Sequence, residues 1–304
     1  MQKVVVSLPT RGRPEKLLDT LRINCQSFTR PNTTIFVSVD DDDKPTIEAL
    51  GKADLDKRIV VDVRVREDTL GAKWNRALSV PGDVYYMAAD DDPTITINAD
   101  EHVLNSARFF PDGIGFTFGH LVNHTMCSAF GTTAKVIEIL GYWCPEYFQF
   151  WFTDHWINEI AYMIDRVAFC PVITDQNKYG KTQELRESHW WSAWFDMAHG
   201  MRVVDAMKII NHPQFGTTLR QREILVNNLP LSYDRSFWIN KVVRDSRDLL
   251  EKWSPLPLDD ERYLRVKQRA IDLVPRLTGP EFYMTPDIAD FYREFLLGKE
   301  EECA

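Results

Sequence analysis

The chain has 304 residues, enough for one large domain or two small ones, with 44% hydrophobic and 27% charged residues, ordinary values for a soluble globular protein. A net charge of -9 excludes a molecule that binds nucleic acid through its overall field, although a local basic face stays possible. Five widely spaced cysteines, odd in number and without a CxxC pair, exclude a disulfide framework and a zinc signature and fit a reducing, cytoplasmic setting.

Residues 3–8 (KVVVSL) predict a buried strand bounded by Pro9, and Pro14 suits the first turn of a helix that presents Leu17, Leu18, Leu21, Cys25 and Phe28 on one side. A second strand, TTIFVSV, ends in Asp40. A third, RIVVDVRV, leads into a helix over 71–79, and a fourth, VYYMAA, runs into Asp90, Asp91 and Asp92. Strand and helix alternate at ~25 residues per unit, which predicts right-handed crossovers and a largely parallel sheet. After Asp92 the pattern is mixed. GIGFTFG and HTMCSAF read as strands, TAKVIEILG as a short helix ended by Gly141, 154–166 as a helix, and MRVVDAMKII as a strand. QNKYGKTQELRES has no apolar period and reads as a loop, and from about residue 220 the chain is helical and polar. The first apolar run is too short for a signal peptide, and no segment reaches the ~20 apolar residues of a membrane span.

The polar clusters fall where the strands end: PTRGR after the first, DDDD after the second, DDD after the fourth. Open α/β sheets bind ligands at that edge. Three adjacent carboxylates also need a counter-charge, since they repel one another and cost heavily when buried unpaired. Neither a dinucleotide GxGxxG nor a phosphate-binding GxxxxGK[ST] is present.

SLPTRGRPEKLLDTL, VSVDDDD, LGAKWNRAL, YMAADDD, LGYWCPEYFQFWFTD and INHP, in that order over residues 3–215, resemble the GT-A glycosyltransferases, in particular the inverting family 2. The resemblance implies a mostly parallel central sheet flanked by helices: a domain over 1–218, with a nucleotide-sugar half (1–98) and an acceptor half (99–218), then a helical extension over 219–304. It implies that Pro9, Thr10, Arg11, Asp40 and Asp42 line the nucleotide pocket of a UDP-sugar, Asp40 accepting the base N–H. Lys73 and Asn75 would donate to phosphate or ribose oxygens at a helix start. Asp90 to Asp92 match the DxD motif. Asp92 would ligate Mn²⁺ or Mg²⁺, Asp90 and Asp91 would reach the ribose or the metal, and His212 would complete the metal site. Asp154 would be the base that takes the proton of the acceptor hydroxyl, although Thr153 stands where many relatives carry Glu. Trp151, His155, Trp190 and Trp191 are acceptor-side candidates.

The acceptor is open. A glycan or lipid-linked sugar is the default. A hydroxymethylated base in phage-type DNA is an alternative, because Arg220 to Arg276 holds twelve Lys/Arg against nine Asp/Glu, with Arg262, Arg265 and Arg269 on one helical face. A non-catalytic nucleotide-sugar or cation-binding module is the other.

Overall fold

The computed structural model describes residues 2–119, 121–122, 126–127, 129–149, 152–175, 188–216, 260–277 and 286–297. The first half alternates as its sequence period requires: β1 (Val4–Pro9), α1 (Pro14–Ser27), β2 (Thr34–Asp40), α2 (Lys44–Lys52), β3 (Ile59–Arg64), α3 (Leu70–Asn75) with a 3₁₀ turn over Arg76–Ser79, and β4 (Val84–Met87). Then follow α4 (Ala99–Ala107), β5 (Phe116–Phe118), the two-residue strands β6 (Leu121–Val122) and β7 (Met126–Cys127), β8 (Phe130–Thr133), α5 (Ala134–Leu140), α6 (Thr153–Met163) and β9 (Val167–Phe169). Four helices complete the described residues: α7 (Ser188–Met197), α8 (His199–Ile210), α9 (Glu261–Leu273) and α10 (Pro286–Leu297).

Seven strands form one sheet in the order β3-β2-β1-β4-β8-β5-β9. Only β8 runs against the others; it pairs antiparallel with β4 and β5, so β5 and β9 again point the same way as β1. β6 and β7 pair separately. Every residue of β1 and β2 is buried, which explains why both read as continuous apolar runs rather than alternating ones. Successive side chains still take opposite faces. Val4, Val6 and Leu8 join α1, α2 and α4 in one core through Leu17, Leu21, Leu50 and Val103. Val5, Phe36 and Tyr85 face a second core holding Trp74, Trp143, Trp156, Trp194, and Tyr263 and Val266 of α9. Burying each such side chain contributes roughly 1.5–3 kcal/mol, so both faces of the sheet are firmly covered.

Local signals set the ends of the helices. Pro14 opens α1, Thr69 Oγ1 caps α3 by accepting from Ala72 N at 3.1 Å, and Gly141 closes α5 at φ +82°. Three expectations change. MRVVDAMKII is helix α8, not a strand: Val203, Ala206 and Ile209 recur at helical spacing and fill the second core, a period masked by β-branched pairs. HTMCSAF divides into β7 and the start of β8. α2 and α4 were not singled out in the sequence. The expected loop over 176–188 and the boundary at 218 lie largely or wholly outside the described residues. Among the described residues no helix is long and apolar enough to cross a membrane.

Candidate active site at the carboxyl edge of the sheet

The loop leaving β1 sits between the acidic ends of β2 and β4. Thr10 Oγ1 donates to Asp90 Oδ2 at 2.7 Å, and Thr10 N donates to Ser38 O at 3.0 Å. Gly12, at φ +69°, turns the loop and donates its N–H to Asp43 Oδ2 at 2.7 Å. That turn sends two arginines in different directions. Arg11 grips Asp42 through both terminal nitrogens, at 2.5 and 3.0 Å, and reaches Asp40 at 3.1 Å. Arg13 bridges Asp90 and Asp91 at 2.5 Å each.

Arg13 therefore supplies a counter-charge within the protein for the triple aspartate. It was not singled out in the sequence. The readable signal was complementarity, two arginines in the loop after β1 against acidic runs after β2 and β4. Asp90 is 1% exposed, and its burial pushes the carboxyl up to about 6 against the pull of Arg13 and Thr10.

A second cluster surrounds Asp40. Lys73 Nζ lies 2.9 Å from Asp40 Oδ2 and donates to Thr10 O at 2.6 Å, while Arg76 approaches Asp40 at 3.8 Å and pairs with Glu67 at 3.0 Å. Burial lowers the Lys73 pKa against the pull of Asp40. Asp40 Oδ1 is buried without a hydrogen bond, 3.8 Å from Arg76, while Arg11 and Lys73 both take Oδ2. Asn75 is committed elsewhere. Its amide donates to Cys144 O at 2.8 Å and Glu146 Oε1 at 3.0 Å and accepts from Cys144 N at 2.8 Å. It fastens α3 to the segment over 144–149 rather than facing the acidic rim, because that segment lies against α3: a Cβ on Gly71 would stand 2.1 Å from Pro145 O.

Asp154 reaches the same edge by a different route. α6 leads through a tight turn into β9, which points the same way as β1, so α6 runs back across the sheet and its N-terminus lies at the carboxyl edge. Asp154 Oδ1 accepts from the backbone N of His155 and lies 2.9 Å from His155 Nδ1. The two side chains are 25% and 33% exposed. Phe152, just ahead of them, holds φ +69° without being glycine, strain that is offset by its ring stacking on Phe195 at 5.2 Å.

Other expected residues are not at this edge. His212 follows α8 rather than a strand. Phe215 packs under Arg166, and Gly216 N donates to Asp112 Oδ2, both anchors standing at the starts of β9 and β5. His212 is thereby held at the opposite edge from Asp92. Trp190 and Trp191 are 6% and 5% exposed in the second core and in contact with each other, and Trp191 also meets Phe148 and Tyr263, so both pack the core. Trp151 lies outside the described residues. Arg265 and Arg269 pair with Asp68 at 2.7 and 3.6 Å, docking α9 on the edge near α3, while Arg262 Nη1 is buried without a hydrogen bond.

The chemistry of the donor set limits how a cation is held. Both oxygens of Asp90 and one of Asp91 are taken, and among the described residues no three His, Cys, Asp or Glu side chains form a metal cage. Arg13 pairs with Asp90 and Asp91, and hard oxygen donors at a sheet edge suit Mg²⁺ or Mn²⁺. The described residues form no three-ligand protein cage, and would suit a cation carried mainly by a ligand's own phosphates.

No protein-family model matches the sequence, and no curated protein matches it. Solved structures do. TarS 1-349 of S. aureus, in complex with UDP-GlcNAc, aligns over 97% of this chain and 89% of its own, with TM-score 0.54 and 14% identity. Mannosyltransferase PcManGT from Pyrobaculum calidifontis, in complex with GDP-Man and Mn²⁺, aligns over 98% and 88%, with TM-score 0.51 and 13% identity. Likeness at this identity carries architecture, and with the sheet order above it establishes that the chain has the GT-A fold.

Proposed function

We propose that the protein is a metal-dependent inverting glycosyltransferase that moves a sugar from a UDP-sugar to an acceptor hydroxyl. The observation that supports this reading best is the convergence on one sheet edge of Arg11, Arg13, Lys73, Asp40, the triple aspartate and the start of α6 with Asp154. The two structures with which it shares the fold were solved with a sugar nucleotide bound. Asp40 is the acceptor for the base N–H, through the Oδ2 that is released when Arg11 swings aside, and Thr10 and Pro9 form the wall beside it. Arg13 holds Asp90 and Asp91, which keeps the rim in register. Asp92 anchors Mn²⁺ or Mg²⁺, which, when bound, supplies Lewis-acid stabilisation of the departing diphosphate.

Asp154 takes the proton of the acceptor hydroxyl as that oxygen attacks the anomeric carbon. A glycan or lipid-linked sugar is the favoured acceptor. Duplex DNA is not favoured, because Arg265 and Arg269 are spent on Asp68 within the molecule. A non-catalytic module is not favoured either, since a partly exposed carboxylate beside an imidazole serves proton transfer.

The test is release of UDP from a panel of UDP-sugars with Mn²⁺ and an added glycan. Turnover that stops with chelator and in Asp154→Asn supports the reading. Undiminished turnover in Asp154→Asn removes that residue from the mechanism.

A further inference from the structure

We propose that His155 is the positioning partner of Asp154, and that the protonation state of this pair, rather than the carboxylate alone, sets how strongly the acceptor hydroxyl is deprotonated. The inference rests on the reading of Asp154 as the base. It starts from one oxygen. Asp154 Oδ1 accepts the backbone N–H of His155 and stands 2.9 Å from His155 Nδ1. Two lone pairs at that distance repel, so Nδ1 carries a proton and donates it to the carboxylate. Both contacts fall on Oδ1, and no other described side chain takes Oδ2, which leaves Oδ2 for the acceptor.

The imidazole is itself held. Phe152 lies 5.3 Å away and Phe195 6.1 Å away, ring centre to ring centre, and Phe195 is clamped in turn by the Arg202 guanidinium at 3.7 Å. The strained φ of Phe152 fixes the first turn of α6 where these rings meet. Such a shell of locked rotamers around a reacting group is what positioning needs.

The charged groups around His155 come from three helices. Asp154 and Glu159 lie on α6. Arg202 of α8 pairs with Glu159 at 2.5 Å, and His199 of α8 stands 3.6 Å from the same carboxylate. Asp196 of α7 accepts from Tyr292 Oη. Arg202 offsets Glu159, which leaves Asp154 as the main partner of the imidazole. Burial alone lowers the histidine, but Asp154 and then Glu159 outweigh it and hold His155 above its ordinary 6.5. Burial raises Asp154, and His155 outweighs that and holds it below 3.8.

In the transfer, the acceptor O–H bond breaks and its proton goes to Asp154 Oδ2. The electron pair of that bond forms the new bond to the anomeric carbon. The bond from that carbon to the donor diphosphate breaks, and its pair leaves with the nucleotide. With His155 neutral, Nδ1–H orients a fully basic carboxylate. With His155 doubly protonated, the carboxylate is tied into an ion pair and is a weaker base. A histidine held above its usual value keeps its proton to higher pH, so activity falls as pH drops through that value, well above the range of a lone carboxylate.

The experiment measures the pH profile of kcat for UDP release, and UDP affinity with Mn²⁺, in the full chain and in His155→Asn and His155→Phe. The wild type is expected to lose activity on the acid side with a midpoint above 6.5. In His155→Asn, whose amide still donates, the midpoint moves down by more than about one pH unit and most of the activity remains. His155→Phe lowers kcat by about tenfold or more with UDP affinity little changed. An unchanged profile in both variants, or a wild-type midpoint near that of an ordinary carboxylate, overturns the proposal.

The pair is also read without turnover, by following the His155 ring in NMR titration. Its pKa falls in Asp154→Asn if the pair exists as described, and an unchanged value overturns the inference. If the titration responds and no donor is turned over, it is the transferase reading that fails.

Discussion

Replacing Asp90 by Asn isolates the energetic cost of the acidic rim. Asp90 is almost wholly inaccessible, and its pKa rises from 3.8 to about 6 because burial outweighs Arg13 and Thr10. An acid whose folded pKa lies above its unfolded value favours the folded state while protonated and loses that contribution as pH climbs from the unfolded to the folded value. The rise corresponds to about 3 kcal/mol of stability lost between about pH 4 and pH 6, an order-of-magnitude figure at 1.36 kcal/mol per pKa unit. Asn is neutral throughout and keeps a hydrogen-bonding partner for Thr10. The stability of Asp90→Asn minus that of the wild type should therefore grow by about 3 kcal/mol from pH 4 to pH 7. Urea unfolding at half-unit pH steps measures the difference directly. A difference constant across that range would refute the burial and the pairing from which it is worked out.

Gly71→Ala forces a Cβ to within 2.1 Å of Pro145 O, so it should destabilise by about 1–3 kcal/mol or displace the 144–149 segment, read by thermal unfolding and UDP affinity. Trp191→Ala should lower stability by about 3–5 kcal/mol, with the KM for acceptor unchanged in Trp191→Phe; a selective KM effect would return this residue to the acceptor site. Arg265→Ala with Arg269→Ala should leave the thermal unfolding midpoint almost unchanged, because both side chains are more than half exposed, and duplex DNA binding measured at low salt should be the same in variant and wild type. Asn75→Ala should cost about 1–3 kcal/mol through the orphaned Cys144 backbone, with no loss of donor affinity beyond that of the weakened fold.

The first four strands were legible because β1 and β2 are buried on both faces and carry unbroken apolar runs that Pro9 and Asp40 punctuate. The carboxyl edge was legible for a related reason: charge appears abruptly where apolar runs stop. The internal partners were not. Whether Asp90 meets a guanidinium, a hydroxyl or a cation depends on how the β1 loop turns at Gly12, which follows from a positive φ rather than from a pattern of residue types. His212 followed a run of β-branched pairs that read as a strand, and α8 carries it to the far edge instead. The tryptophans of α7 look alike in sequence whether they stack on a sugar or fill a core. Only the sheet face behind them decides, and here it is filled by Phe148, Tyr263 and α9.

The central claim is that this acidic rim receives a nucleotide diphosphate together with a divalent cation. Calorimetric titration of UDP into the protein, with Mn²⁺ and then with chelator, in the wild type and in Asp92→Asn, tests it most directly. Saturable one-to-one binding that requires Mn²⁺ and is lost in Asp92→Asn is the predicted result. Absence of binding in the wild type, or binding indifferent to both the metal and Asp92, would contradict the account.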